Sequence, residues 1–231
     1  MTFIKTHWLA ILAMSLIVLG ANIAVQYPIF LTLGSLDLAD ILTYGAFVYP
    51  FAFLVTDLTN RIYGPATARK VVFVGFAAAV ICSLALPPIL FDLGLVPYEA
   101  GAARISRIAL ASGSAFLIAQ LLDIFVFNRL RQDRWWRAPA ASSISGSLVD
   151  TAVFFGIAFA PVFLFLGPND DFALEAAPFF GLAAADAPRW VSWALGDLAL
   201  KLSIAVFALV PYRIIIGRVL PAQNASVRAG A

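Results

Sequence analysis

Long apolar runs alternate with short polar punctuation along this chain. A bilayer core of ~30 Å asks about 20 apolar residues of a crossing helix, and six runs meet that length, near 8–29, 39–61, 69–90, 106–127, 142–165 and 190–214. No stretch alternates apolar and polar positions in the ~10-residue segments of a transmembrane barrel, and in lipid a helix satisfies its own backbone groups. The pattern therefore predicts an all-α integral membrane protein of six transmembrane helices, one domain over residues 1–231. The first run follows Lys5 as a signal peptide would, but it is too long and has no small-x-small cleavage site after its core, so it reads as a retained span.

Composition agrees with this reading. Hydrophobic residues make up 62% and charged residues 12%, with a mean hydropathy of +0.94, far from a soluble domain of this length. The net charge of +2 is less informative than its distribution. Lys5, Arg61, Arg69, Lys70, Arg129, Arg131, Arg134, Arg137, Arg213, Arg218 and Arg228 fall on one side of the six spans, and Arg104, Arg107 and Arg189 on the other, with Lys201 inside a span. Eleven against three places both termini in the cytoplasm. The stretch "NRLRQDRWWRAP" (128–139) reads as a positive-inside loop whose Trp135 and Trp136 grip anionic headgroups, not as a nucleic-acid patch. Membrane lipids are thus expected partners and nucleic acid is not.

The longest connection, "GPNDDFALEAAPFFGLAAADAPRW" (167–190), is external, acidic and rich in proline. It is expected to lie on the membrane surface as a short amphipathic piece, with a gating lid as the alternative. Small residues four apart, Ala109 and Gly113, and Ser143 and Ser147, suit close helix contacts. Asp57 before Asn60-Arg61 and Asp123 before Asn128-Arg129 hint at duplication, though the spacings differ. Cys82 is the one cysteine, so no intramolecular disulfide can form.

Asp57, Asp123, Asp150, Asp197 and Lys201 lie within the spans. Each charge costs roughly 2.5–3.5 kcal/mol near a helix centre on insertion scales, on the order of 10 kcal/mol together if all faced lipid. They must face one another, water or a ligand. Asp57, Asn60, Arg61 and Gly64 follow i, i+3, i+4, i+7 and share a face. So do Gln120 and Asp123, and Ser143, Ser147, Asp150 and Thr151, and Asp197 and Lys201, and Asn22 and Gln26. These stripes predict one central polar cavity. Its alternative is an internal ion-pair network that only fixes helix register. Four acids against one lysine and one edge arginine suit a ligand rich in donors, or protonatable groups for proton coupling. A guanine-like ring is one such ligand, since its N1–H and exocyclic amine both donate to a single carboxylate and Gln or Asn can read its carbonyl. Arg61 is either a partner for Asp57 or a positive-inside anchor, and Asp197 is a further charge partner.

Enzyme signatures are missing. His7 is the one histidine, and it sits at the edge of the first span, which removes His dyads and zinc sites of the H-E-x-x-H type. No G-x-S-x-G, P-loop or G-x-G-x-x-G pattern occurs, and neither Asp57 nor Asp123 stands in a Gly-Asp protease signature. No enzyme activity, cofactor or metal is expected.

The blocks "YPFAFLVTDLTNRIYGPATARKVVFVGF" (49–76), "AFLIAQLLDIFVFNRLR" (115–131) and "SGSLVDTAVFF" (145–155), with the lysine of "LALKLSIA" (198–205), resemble the VUT family of vitamin uptake transporters over essentially the whole chain. Many members carry Glu after the Asn of the second-helix motif, where this chain has Arg61. The resemblance implies a bacterial inner-membrane transporter of a queuosine precursor, 7-cyano-7-deazaguanine or 7-aminomethyl-7-deazaguanine, for tRNA queuosine modification. The substrate path is expected to run past Asp57, Asn60, Gln120, Asp123, Asp150 and Lys201, with Asp150 or Asp123 holding the base edge and Lys201 balancing the acids. The alternative role is a substrate-binding membrane subunit of an ATP-driven uptake complex, and a homo-oligomer stays open.

Overall fold

The computed structural model describes residues 2–34, 36–181 and 186–229. Helix α1 (Thr2–Ala24) leads into a small antiparallel hairpin, β1 (Thr32–Leu33) with β2 (Leu36–Asp37), and a 3-10 turn over Leu38–Asp40. Helices α2 (Gly45–Val48), α3 (Phe51–Tyr63), α4 (Pro65–Asp92), α5 (Ala102–Leu130) and α6 (Arg137–Phe159) follow. A 3-10 turn, Pro161–Leu166, then α7 (Asp171–Leu174) and the antiparallel pair β3 (Ala176–Pro178) and β4 (Asp186–Pro188) lead to α8 (Arg189–Phe207) and α9 (Leu209–Ala229).

Among the described residues, five helical segments are long and apolar enough to cross a bilayer: Phe3–Ala24, Pro65–Asp92, Ala102–Leu130, Arg137–Phe159 and Arg189–Leu220, which runs from α8 into α9. The expected run 39–61 is built differently. Its first part belongs to a turn-back in which Ile29 N–H bonds Leu42 and Tyr44 N–H bonds Tyr27. Helix starts only at Gly45 and is interrupted at Pro50, which has no N–H to offer the preceding turn. What remains is α2 and the 13-residue α3. The first span also ends sooner than 29, at Ala24, so Asn22 and Gln26 do not share a helix face. Asn22 instead accepts from Ser83 of α4 at 2.8 Å. Span five ends at Phe159, not 165, because Pro161 drives Ala160 out of helical conformation (φ −68°, ψ 136°). The long external connection holds α7 and the β3–β4 pair in place of a simple amphipathic piece, with residues 182–185 outside the described residues.

Apolar side chains point outward in stripes. Trp8, Leu12, Leu16 and Leu19 on α1 are exposed, as are Phe73 and Ile81 on α4 and Val206, Val210 and Ile214 on α8 and α9. Lipid would cover such surfaces, whereas the polar residues of the spans turn inward. Met14, Val18, Ala52, Val71, Val72 and Phe116 form the core shared by α1, α3, α4 and α5. A second core of Phe155, Phe159 and Ala111 packs against Trp190 and Trp193. The junction of α3 and α4 is Gly64, at φ +87°, which only glycine adopts at little cost, and Pro65 then opens α4. Helices α5 and α6 pack together along much of their length, and α3 and α8 each lean on α6.

Candidate functional site

Helix α6 organises the buried polar groups. Its Ser142, Ser143, Ser147, Asp150 and Thr151 are all buried on the inward side. Gly146 lets α3 approach closely, since a Cβ there would meet Phe53 Cε1 at 2.6 Å. Two clusters result instead of one cavity, arranged on successive turns of this helix.

The first cluster lies where α3, α5 and α6 meet. Asp57, Asn60, Gln120 and Asp123 are at most 1% exposed. The Asp57 carboxylate accepts from Ser142 Oγ at 2.9 Å and from Ser143 Oγ at 3.3 Å, and it faces the Asp123 carboxyl. Thr56 Oγ1 donates to Gln120 Oε1 at 2.5 Å, leaving the Gln120 amide nitrogen free. Gln120 Nε2, both amide atoms of Asn60, both carboxyl oxygens of Asp123 and Ser147 Oγ are buried without a hydrogen-bond partner. Native interiors leave few such atoms, because each costs about 1–3 kcal/mol. Here they gather on three adjoining helices, a mixed set of acceptors and donors left largely unanswered among the described residues.

The second cluster joins α6, α8 and the α2–α3 junction, and it is paired throughout. Lys201 Nζ donates to Asp150 Oδ2 at 2.7 Å, to Asp197 Oδ2 at 2.5 Å and to Thr151 Oγ1 at 3.4 Å, which uses all three ammonium hydrogens. Thr151 donates to Asp197 at 3.0 Å, and Tyr49 Oη donates to Asp150 Oδ1 at 2.8 Å. Lys201 also lies 5.2 Å from the centre of the Tyr49 ring. An ion network of this completeness holds α8 against α6.

Arg61 makes no ion pair with Asp57. Its Nε donates to Tyr212 Oη and its Nη1 to the Arg131 carbonyl, both at 2.9 Å, while Arg131 Nη2 returns a bond to the Arg61 carbonyl. This reciprocal clasp joins the C-terminal ends of α3 and α5, where cations are favoured by the helix dipole. Arg107, counted by its sequence position among external loop charges, is 2% exposed inside α5. It donates to the carbonyls of Ile157, Ala160, Gly167 and Pro168 and to Asn169 Oδ1, and so caps the broken end of α6. A cleft of about 420 Å³ lined by Arg69, Phe125, Asn128 and Arg129 lies apart from both clusters.

Asp57, Asn60, Gln120, Asp123, Asp150 and Lys201 are therefore all buried, but the first four stand in one cluster and Asp150 and Lys201 in the other, with the partly buried Asp197. Ser142, Thr56 and Tyr49 were not legible as participants. Ser142 differs from Ser143 only by one position on the helix, and Tyr49 reaches a partner 101 residues away.

Comparison with known proteins bears on this arrangement. Residues 43–216 match the family described as "Putative vitamin uptake transporter". The chain is 36% identical over 205 residues to the "Probable queuosine precursor transporter" of Haemophilus influenzae, covering 84% of this chain and 79% of that one. It is 35% identical over 209 residues to the "Queuosine precursor transporter" of Escherichia coli, covering 88% and 82%. A "Probable queuosine precursor transporter" of Bacillus subtilis matches at 32% over 133 residues, covering 52% and 58%. No solved structure matches. The matched region contains α3 to α6 and α8, the helices that carry both clusters, and the chain belongs to the vitamin uptake transporter (VUT) family.

Proposed function

We propose that this multi-pass membrane protein imports a queuosine precursor, 7-cyano-7-deazaguanine or its 7-aminomethyl analogue, across the bacterial inner membrane. The observation that carries the reading is the set of unanswered polar atoms between α3, α5 and α6. A deazaguanine presents N1–H and an exocyclic amine side by side, donors that the Asp123 carboxyl can accept, and a ring carbonyl for Gln120 Nε2. Asn60 and Ser147 are left for the remaining ring edge and the 7-substituent. Asp57 braces Asp123, and Asp150 and Lys201 line the path on the next turns of α6 and α8. A ligand that restores these hydrogen bonds recovers the cost of burying them unpaired.

The reading includes six crossings with both termini in the cytoplasm, the second made by the hairpin, α2 and α3. Substrate sites of transporters are commonly built at such discontinuous helices, and the names of the relatives support the cargo. Passage through the protein breaks no covalent bond, so the role is not enzymatic. The test is a strain unable to synthesise the precursor and supplied with it from outside. Replacing Asp123 or Asp150 by Ala is expected to abolish queuosine in its tRNA. Normal modification in both variants would refute the site.

A further inference from the structure

Asp57 and Asp123 face each other out of contact with solvent, and among the described residues no cation is bonded to either. The cations of the surrounding elements are engaged elsewhere. On α8, Lys201 is divided between Asp150, Asp197 and Thr151. On α3, Arg61 turns its Nε to Tyr212 of α9 and its Nη1 to the Arg131 carbonyl, with its guanidinium 5.0 Å from the centre of the Phe127 ring and its Nη2 buried without a partner, so that it is not bonded to Asp57. From α6 the pair meets only the hydroxyls of Ser142 and Ser143, and Asp150 beyond them is already neutralised by Lys201. Serine hydroxyls hold Asp57 in place but supply no charge. Two carboxylates this close repel by several kcal/mol at the effective dielectric constant of a protein interior, and the one donor shown near Asp123 is the Ser142 hydroxyl, which it shares with Asp57.

We propose that Asp57 and Asp123 share one proton, and that this proton enters the cell together with the substrate, so that the protein is a proton symporter. The transport half of this rests on the reading of the same cluster as the substrate site. The proton bridges one oxygen of each carboxyl. Asp57 continues to accept from Ser142 and Ser143, and the second Asp123 oxygen stays open to a substrate N–H beside Gln120 and Asn60. Only an O–H bond forms and breaks, the proton coming from external water and leaving to cytoplasmic water. A bridging proton holds Asp123 in position for the substrate, and by reciprocity the substrate strengthens proton binding.

Purified protein in liposomes, neutral inside and acidic outside, is expected to accumulate labelled 7-cyano-7-deazaguanine above its external concentration. An internal pH dye should record proton entry on substrate addition, a protonophore should collapse the accumulation, and exchange of sodium for potassium should leave it unchanged. Accumulation that ignores the pH gradient or requires sodium overturns the proposal. A second measurement needs no substrate. The infrared spectrum of the wild-type protein at neutral pH should show the C=O stretch of a protonated carboxyl, shifted in deuterium oxide and lost in both Asp57→Asn and Asp123→Asn. Absence of that band in the wild type overturns the shared proton. Its presence in a protein that moves no deazaguanine supports the proton site and refutes the substrate reading alone.

Discussion

Lys201 and Asp123 show how differently two buried charges are treated in one fold. Lys201 has three partners, and removing it strands Asp150 and Asp197 without a cation, a loss of roughly 3–5 kcal/mol for a broken buried pair. Lys201→Met is therefore expected to lower the thermal midpoint of the detergent-solubilised protein, and adding Asp150→Asn should restore part of it. An unchanged midpoint in the single variant would show that the network contributes nothing to the fold. Asp123 has no such partners, which is why it is the residue assigned to ligand rather than to stability. Both charges were visible in the sequence, since any charge in an apolar run announces itself. Their division into a paired and an unpaired group was not, because partnership depends on which helices touch.

Among the elements, α6 carries the argument through one small residue. Gly146 admits Phe53, and a larger side chain there has to push α3 away from Ser142 and Ser143. Gly146→Leu should destabilise by roughly 1–3 kcal/mol of overpacking and reduce uptake with it. Gly156→Leu on the same helix, where a Cβ meets nothing within 4 Å, is the matched control and should leave the midpoint unchanged. Equal effects at both positions would refute the close approach of α3. The long runs behind α4, α5 and α6 were legible to within a few residues, because twenty apolar positions in succession admit little besides a helix. The run at 39–61 was misleading, since apolar content alone does not reveal that Pro50 interrupts the helix or that Leu42 and Tyr44 turn back to bond Ile29 and Tyr27. Hairpins of two or three residues per strand carry no periodicity to read.

For the whole molecule, Asn60, Gln120 and Asp123 are 0% exposed and Ser147 1%, so a substrate reaches them only when α3, α5 and α6 part. Ser147→Cys should consequently react slowly with a membrane-permeant maleimide in the resting protein and faster while precursor is being taken up. Identical rates in the two conditions would refute an opening step at this contact. By itself, the sequence determined that the chain is a helical membrane protein with too many acids for its lysine, because lipid forbids most alternatives to helices and makes every buried charge conspicuous. Only the tertiary structure decided which acids Lys201 neutralises, that Arg61 turns to Tyr212 and Arg131 rather than to Asp57, and that the unanswered polar atoms gather between α3, α5 and α6. Pairing reaches a few ångströms across helices far apart in the chain, so it is set by packing and leaves no trace in local spacing.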